Sequence, residues 1–559
     1  MYKLVMIIAI LLGIWRLNGQ ELDVVNSLPN KGANTSIENG DGKTLLDLAE
    51  ESEPVEIIEA LKSSSLKEDG PPSATEGLAS HNENGFKEKV VFANECDGKA
   101  AWHKAAAEGN LKSLEAIWRW AKEAELTPDE LLLAKSEEGE TALHLAAQGN
   151  HVEMLQKLWG WAEKEQISGN EIKKKLFLAK DKFGQTAWHK AAEGSLESLE
   201  TIWRWAKEVE LTADELLLAQ DENGHIAFYL AVQGNQVGIL ETLWRWVEEA
   251  QVNANELKKK IFLTKDKLGY NMWHHAAYFG SIEALDTLWS WAKEAELRPD
   301  DLLLSRSEEG ETALHLAAQG NHSEILQKLW VWAEEEQING KEIKKKLFLA
   351  KDKFGQTAWH KAAEGSLESL ETIWRWAKEA ELTPDELLLD QDEEGRTAFY
   401  LAVQGNQVGI LKTLWVWVEE AQMNAKELKK KLLLTINKYG STSWHVAATD
   451  GSLEALETLW SWTKEVEINR GEFLVAQTEQ GHTAMILAAC TNRVRILEKL
   501  WSWTEEAEVN ASELKKKFLL AKDDQGNTAF DRAEQFGSLE ALKTLRSWEK
   551  EAELSRDEL

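Results

Sequence analysis

The sequence predicts an all-α solenoid: short helices stacked as repeated units, joined by tight turns, with an extra short third helix in each unit. Three observations predict it. The pattern G-x-T-A-[WL]-H-x-A-A recurs, as in Gly139-Glu-Thr-Ala-Leu-His144, Gly184-Gln-Thr-Ala-Trp-His189 and Gly355-Gln-Thr-Ala-Trp-His360. The recurrence is regular, and each unit carries a second helix-start signal well after the first. Self-similarity at such a period marks units that cannot bury their apolar faces alone and do so by stacking.

The period has three levels. The residue before the histidine slot runs Trp102, Leu143, Trp188, Phe228, Trp273, Leu314, Trp359, Phe399, Trp444, Met485, Phe530, with steps alternating between 40 or 41 and 45 residues. Two units therefore form a super-unit. Above it, the stretch from Glu140 to about Lys260 returns nearly verbatim from Glu311 to about Lys431, 171 residues later. A degenerate earlier copy, Gly42-Lys-Thr-Leu-Leu-Asp-Leu-Ala49, precedes them.

Each unit reads in the same order. Asp-Lys-Phe-Gly184 or Asp-Glu-Asn-Gly224 is a turn, its glycine suited to positive φ. A threonine starts a short alanine-rich first helix, which a glycine (Gly149, Gly194, Gly320) breaks. An apolar-periodic second helix follows, as from Leu196 to Val209. Thr127-Pro-Asp-Glu130, Thr212-Ala-Asp-Glu215 and Thr383-Pro-Asp-Glu386 are capping boxes that open the third helix. Ser168-Gly-Asn-Glu171, Asn253-Ala-Asn-Glu256 and Asn510-Ala-Ser-Glu513 take that role in alternate units.

Thr141-Ala-Leu-His-Leu-Ala-Ala-Gln-Gly-Asn150 resembles the ankyrin repeat, whose core pattern is T-P-L-H-x-A over roughly 33 residues. The resemblance covers residues 41–559 apart from a linker. Alanine stands in place of the family's usual proline, and each unit is longer than the family's repeat. The resemblance implies a helical solenoid that binds proteins on its concave side, formed by turn tips and first helices. It also implies a hydrogen bond from the slot histidine to the threonine of its own T-x-x-H turn.

Twenty of the 27 tryptophans form ten W-x-W pairs late in the second helices, such as Trp203/Trp205 and Trp374/Trp376. Residues i and i+2 point about 200° apart on a helix, so one face cannot bury both. The leucine-rich third helix (Leu216, Leu217, Leu218) is expected to cover the second. Lysine triplets (173–175, 258–260, 344–346, 429–431, 515–517) recur once per super-unit. Two readings stand: they sit in solvent against helix C-terminal dipoles, or they form positive ribs for an acidic partner, other copies of this chain included.

The net charge of −32, from 64 basic and 96 acidic side chains, argues against nucleic acid and anionic lipid as partners. Dispersed acids read as a solvated face, with weak calcium buffering as the alternative. The slot histidines (His103, His144, His189, His274, His315, His360, His445) occupy different units about 10 Å apart, too far to share one zinc ion, so no metal site is expected among them. Nucleotide, metalloprotease, redox and nucleophile-elbow motifs are not found. The chain is expected to be non-enzymatic and to use no cofactor.

Residues 1–19 read as a secretory signal peptide: Lys3, then an apolar run from Leu4 to Trp15 too short to span a membrane. Residues 20–40 read as flexible, 41–62 as the degenerate first repeat, 63–94 as a disordered linker containing Pro71-Pro72, and 95–559 as about eleven repeats. No second hydrophobic span follows. The terminal Arg556-Asp557-Glu558-Leu559 resembles the K-D-E-L endoplasmic-reticulum retrieval signal, and equally the start of a third helix cut short, as in Thr127-Pro-Asp-Glu-Leu131. Among the sequons at Asn34, Asn321 and Asn510, Asn34 is the best glycosylation candidate. Cys96 and Cys490 lie far apart in the array and read as free thiols.

The expected function is a protein-binding scaffold of the secretory pathway, in the endoplasmic reticulum lumen or outside the cell. The alternatives are a secreted, venom-type binder of a foreign protein and a self-associating structural protein. The residue after each turn glycine varies between units. Specificity is therefore expected at Gln185, His225, Tyr270, Glu311, Gln356, Arg396, Ser441 and His482, together with Lys99, Glu140 and Asn527.

Overall fold

The computed structural model describes residues 101–551 except 124–125, 165–168, 250–253, 336–339, 422–423, 451 and 508–509. The expected signal peptide, flexible segment, degenerate repeat and linker lie outside the described residues. So do Asn34, Cys96, Lys99 and Arg556 to Leu559.

Among the described residues the fold is all-α, with two isolated β-bridges and no strand. Every complete unit has the three expected helices, as in Ala187–Ala192, Leu196–Glu208 and Ala213–Leu217. Third helices alternate between 5 residues (Pro128–Leu132, Ala213–Leu217, Pro299–Leu303, Pro384–Leu388) and 9 or 10 residues (Gly169–Phe177, Ala254–Leu263, Gly340–Phe348, Ala425–Leu434). That difference of about one helical turn produces the alternating period. No described helix is long and apolar enough to cross a membrane.

Local chemistry sets the boundaries. Thr212 and Thr383 form the expected capping boxes; the Thr383 backbone N–H donates to Glu386 Oε2 at 2.9 Å, and Thr383 Oγ1 accepts from Glu386 N. Thr383→Ala is expected to cost about 1 kcal/mol, read as a lower urea midpoint with an unchanged slope. Ser168 and Asn253 lie outside the described residues. Asn510 is an N-cap by backbone position, but its side chain makes no cap hydrogen bond, which differs from the expectation. The first helix ends at its glycine, as expected, with Gly149 and Gly320 as C-caps. Gly149 keeps φ at −77°, and Asn150 takes the left-handed turn at φ 57°, as do Asn235, Asn321, Asn406 and Asn492. Asparagine tolerates that conformation, so glycine is required for another reason. A Cβ on Gly149 would stand 2.4 Å from the His151 ring, which itself bonds the Ala107 carbonyl one unit back.

Neighbouring units pack first helix on first helix, as Ala187–Ala192 on Ala142–Gln148, and second helix on second helix. Tryptophan joins them. The first tryptophan of each pair stacks flat on the second of the next unit: Trp159 on Trp205, Trp203 on Trp246, Trp244 on Trp291 and Trp374 on Trp417, with ring centroids 4.4–4.5 Å apart and planes within 6°. The cover for the second tryptophan thus comes from the preceding unit, correcting the expectation that its own third helix supplies it. The short third helix also reaches forward, Ala213–Leu217 packing on Val237–Glu248 of the next unit. The long third helix folds back on its own second helix, where Phe177 and Phe262 meet Trp159 and Trp244 edge-on. Unit-to-unit burial therefore carries most of the core, as a solenoid requires.

Candidate interaction surface

The turns are built from one short side chain each. Asp181 Oδ1 accepts the Phe183 and Gln185 backbone N–H groups at 2.8 Å, and Asp221, Asp266, Asp352, Asp392 and Asn437 repeat the arrangement. This leaves glycine at positive φ, where Gly184 (φ 73°) lies so close to Glu222 that a Cβ would meet its backbone nitrogen at 2.6 Å. Successive tips are tied by a backbone hydrogen bond: Glu222 N to Phe183 O (2.8 Å), Lys267 N to Asn223 O (2.8 Å), Glu308 N to Leu268 O (3.0 Å). The tips form a continuous hydrogen-bonded edge.

The eight variable tip residues all lie on this edge, and each is half-buried or buried. They are held by their own turn, by the adjoining turn or by the first helix of the next unit. Gln185 and Gln356 reach Asp221 and Asp392 at 3.4 Å, Tyr270 Oη donates to Glu311 Oε2 at 2.6 Å, and Arg396 pairs with Asp392 at 2.8 Å. His482 Nε2 lies 3.6 Å from Asp523, and Glu311 lies 3.3 Å from Lys361. Ser441 N is held by Asn437. The most exposed tip residues instead precede the glycine. Phe183, Leu268, Phe354 and Tyr439 are 48–62 % exposed and recur once per super-unit. Sequence reasoning missed them, although the F-G, L-G and Y-G dipeptides were visible.

The slot histidines are structural and do more than the resemblance implies. His144 Nδ1 accepts from Thr141 Oγ1 at 2.9 Å, leaving Nε2–H to donate to the Gln185 carbonyl of the next unit at 3.0 Å. His189, His274, His315, His360 and His445 make the same forward bond, at 3.0–3.2 Å. Burial lowers His144, His189, His274, His315 and His445 to about 4, so these rings are neutral. Where tyrosine fills the slot, Tyr229 Oη donates to the Thr264 carbonyl, and Tyr400 Oη accepts from Asn437 Nδ2 at 3.1 Å.

The lysine triplets divide: later lysines such as Lys174, Lys175, Lys345 and Lys346 stay exposed in the last helical turn, as the solvated reading expects, but the first does not. The first lysine of a triplet is neither solvated nor a free rib. Lys344 Nζ is buried, lies 4.8 Å from the Trp330 ring centroid, and pairs with Glu334 (2.9 Å) and with Glu379 of the next unit (3.1 Å). Glu379 also accepts the Trp330 indole N–H at 2.8 Å. Lys173, Lys258 and Lys429 form the same clasp on Trp159, Trp244 and Trp415. Partial burial would raise Glu379, but the bonds from Trp330 and Lys344 outweigh it and hold the carboxyl below its usual range. Spacing could place these lysines on one edge, but not the glutamates from two other segments that meet them.

One junction breaks the charge pattern of the edge. Lys190 lies between Asp181 of its own unit (3.0 Å) and Glu140 of the preceding tip (3.6 Å), and Lys361 repeats this with Asp352 and Glu311. The position equivalent to Lys190 is His275 in the unit of Asp266, and the preceding tip is His225. Asp266 Oδ2 lies 3.0 Å from His275 Nε2 and 3.6 Å from His225 Nε2, while His225 Nδ1 is 3.3 Å from Asp221 Oδ2. Carboxylate–ammonium–carboxylate has become imidazole–carboxylate–imidazole. The hydrogen bonds to Asp221 and Asp266 raise His225 to about 9. Desolvation would raise Asp266, yet bonds from His225, His275 and Tyr270 N hold it far below the usual range. Sequence reasoning treated only the slot histidines together and so missed a cluster built from three other positions.

A family model described as ankyrin repeats (3 copies) matches residues 273–384, and one described as ankyrin repeat matches residues 138–164. No curated protein matches the chain. The 171-residue internal copy carries the matched stretch 311–384 onto residues 140–213, three-helix units continue to Leu520, and two further helices reach Glu551. The chain carries ankyrin repeats, stacked as a helical solenoid.

Proposed function

We propose that the array is a non-enzymatic scaffold that binds a protein partner along the turn-tip edge. Ankyrin repeats generally serve as protein-interaction scaffolds, and the observation that supports this edge is the row of Phe183, Leu268, Phe354 and Tyr439. These apolar side chains are exposed at super-unit spacing on a backbone fixed by inter-tip hydrogen bonds. Rigid, regularly spaced aromatic and aliphatic anchors, each preceded by a lysine (Lys182, Lys267, Lys353, Lys438), suit an extended partner carrying apolar groups at matching spacing. Changing all four to glutamate is expected to abolish capture of partners from the source tissue while leaving the melting temperature within a few degrees. Retention of the same partners by the variant would sink the reading.

The scaffold works in the secretory pathway in this proposal, on the strength of the apolar run from Leu4 to Trp15 and the terminal Arg556 to Leu559. Retrieval predicts that the full chain stays in the endoplasmic reticulum and that a chain lacking residues 556–559 leaves the cell. Equal release of both favours a secreted binder of a foreign protein using the same edge. Self-association through lysine ribs loses support, because the first lysine of each clasp is consumed within its own chain.

A further inference from the structure

We propose that His225, Asp266 and His275 form a site for one divalent transition-metal ion of the zinc class, at a single junction of the array. The candidate ligand atoms, His225 Nε2, Asp266 Oδ2 and His275 Nε2, lie within 4.8 Å of one another. Ligands about 2.0–2.1 Å from a tetrahedral ion stand about 3.3 Å apart. The two separations to Asp266 Oδ2, 3.0 and 3.6 Å, straddle that value. The third separation is no more than 4.8 Å.

The surroundings are arranged as a metal site needs. Asp266 Oδ1 is occupied by Leu268 N and Tyr270 N, which fixes the carboxylate and turns Oδ2 toward the histidines. Asp221 meets His225 Nδ1 and is itself held by the Asn223 and His225 backbone N–H groups, so His225 presents Nε2 to the site. This carboxylate–histidine–ligand order orients a ring and strengthens it as a donor. Tyr229, Tyr270 and Phe279 wall in the His275 ring, with centroids 5.0–6.1 Å away. Asp266 is almost fully buried, while His275 and His225 keep 12 % and 21 % of their side-chain surface, leaving an open side for water or a partner's ligand. A ring nitrogen that takes the ion gives up its proton to solvent, and the two carboxylates of Asp221 and Asp266 then balance one dication. Imidazole donors select zinc, nickel or copper over magnesium and calcium.

The chain contains its own control. In the copy 171 residues later the three positions are Arg396, Asn437 and Val446, and the turn survives because Asn437 Oδ1 still accepts Tyr439 N and Ser441 N at 2.9 Å. At the junction of His482 and Asp523 the second histidine is Arg532, whose guanidinium fills the space 2.6 Å from Asp523. Among the described residues the donor set is complete at this junction, and at the two counterparts above cations or an apolar group replace members of it.

The test is zinc titration calorimetry and cobalt(II) absorption on the intact chain and on the variant His225→Arg/Asp266→Asn/His275→Val, which carries the residues of the later copy. The parent is expected to bind one more zinc ion than the variant and to show visible cobalt bands that the variant lacks, with no uptake of calcium at this site. Asp221→Asn should weaken that zinc site roughly 10–100-fold. Equal zinc stoichiometry and affinity in parent and variant would overturn the proposal, as would cobalt spectra of octahedral hydrate in both. Melting temperatures in chelator verify folding; if the triple variant is destabilised, Asp266→Asn alone decides by the same two readings.

Discussion

Acid is expected to unfold this array well above the pH at which its carboxylates protonate. His144, His189, His274, His315 and His445 are lowered to about 4 by burial, each bonded forward to the next unit. In the unfolded chain such imidazoles titrate near 6.5. A folded pKa below the unfolded value means stability that is complete above about 6.5 and lost as pH falls toward 4. The limiting loss is on the order of 3 kcal/mol per histidine. His225 acts in the opposite sense: raised to about 9, it stabilises below about 6.5, and that contribution fades as pH rises through 9. One such group cannot offset five. Urea midpoints measured from pH 8 to pH 4 should fall steeply from about pH 6.5, and His189→Gln should flatten the slope. A decline that starts only below pH 4.5 would assign acid sensitivity to carboxylates instead.

Trp374→Ala is expected to cost about 3–5 kcal/mol and to divide the array in two. Trp374 is buried, stacks on Trp417 at 4.5 Å with planes 3° apart, and touches Trp359 at 6.0 Å. Truncation removes both a core side chain and the cover of the next unit's tryptophan. Because each unit contacts only its neighbours, the loss should stay local. Amide exchange should accelerate over roughly residues 358–434 while the helices from Ala142 to Glu248 keep their protection. Uniform loss of protection along the whole chain would contradict nearest-neighbour stabilisation. Trp374→Phe should recover part of the effect, since stacking beyond simple burial contributes about 0.5–1.5 kcal/mol.

The repeat, the helix order and the capping boxes were legible in the sequence because each depends on residues within a few positions of one another. Thr383 and Glu386, or Thr141 and His144, meet through local backbone geometry that spacing alone predicts. The alternation of 40 or 41 with 45 residues was equally legible as length, and it is the third helix that lengthens. Covers, clasps and clusters were not legible. Trp203 meets Trp246, Lys344 meets Glu379, and His225 meets His275 across separations of about one unit, and such pairings depend on the rotation between stacked units. Reading the lysines by spacing gave solvated ribs, whereas stacking brings two glutamates and an indole to the first of each.

The sequence by itself determined that this chain is an all-α ankyrin-type solenoid with a capped third helix, because local periodicity and capping chemistry are written in neighbouring residues. Only the tertiary structure decided which tip side chains face outward, what covers each second tryptophan, and that one junction gathers two imidazoles on a buried carboxylate. Those outcomes depend on the register between units, which is set by packing across about 40 residues rather than by any local pattern.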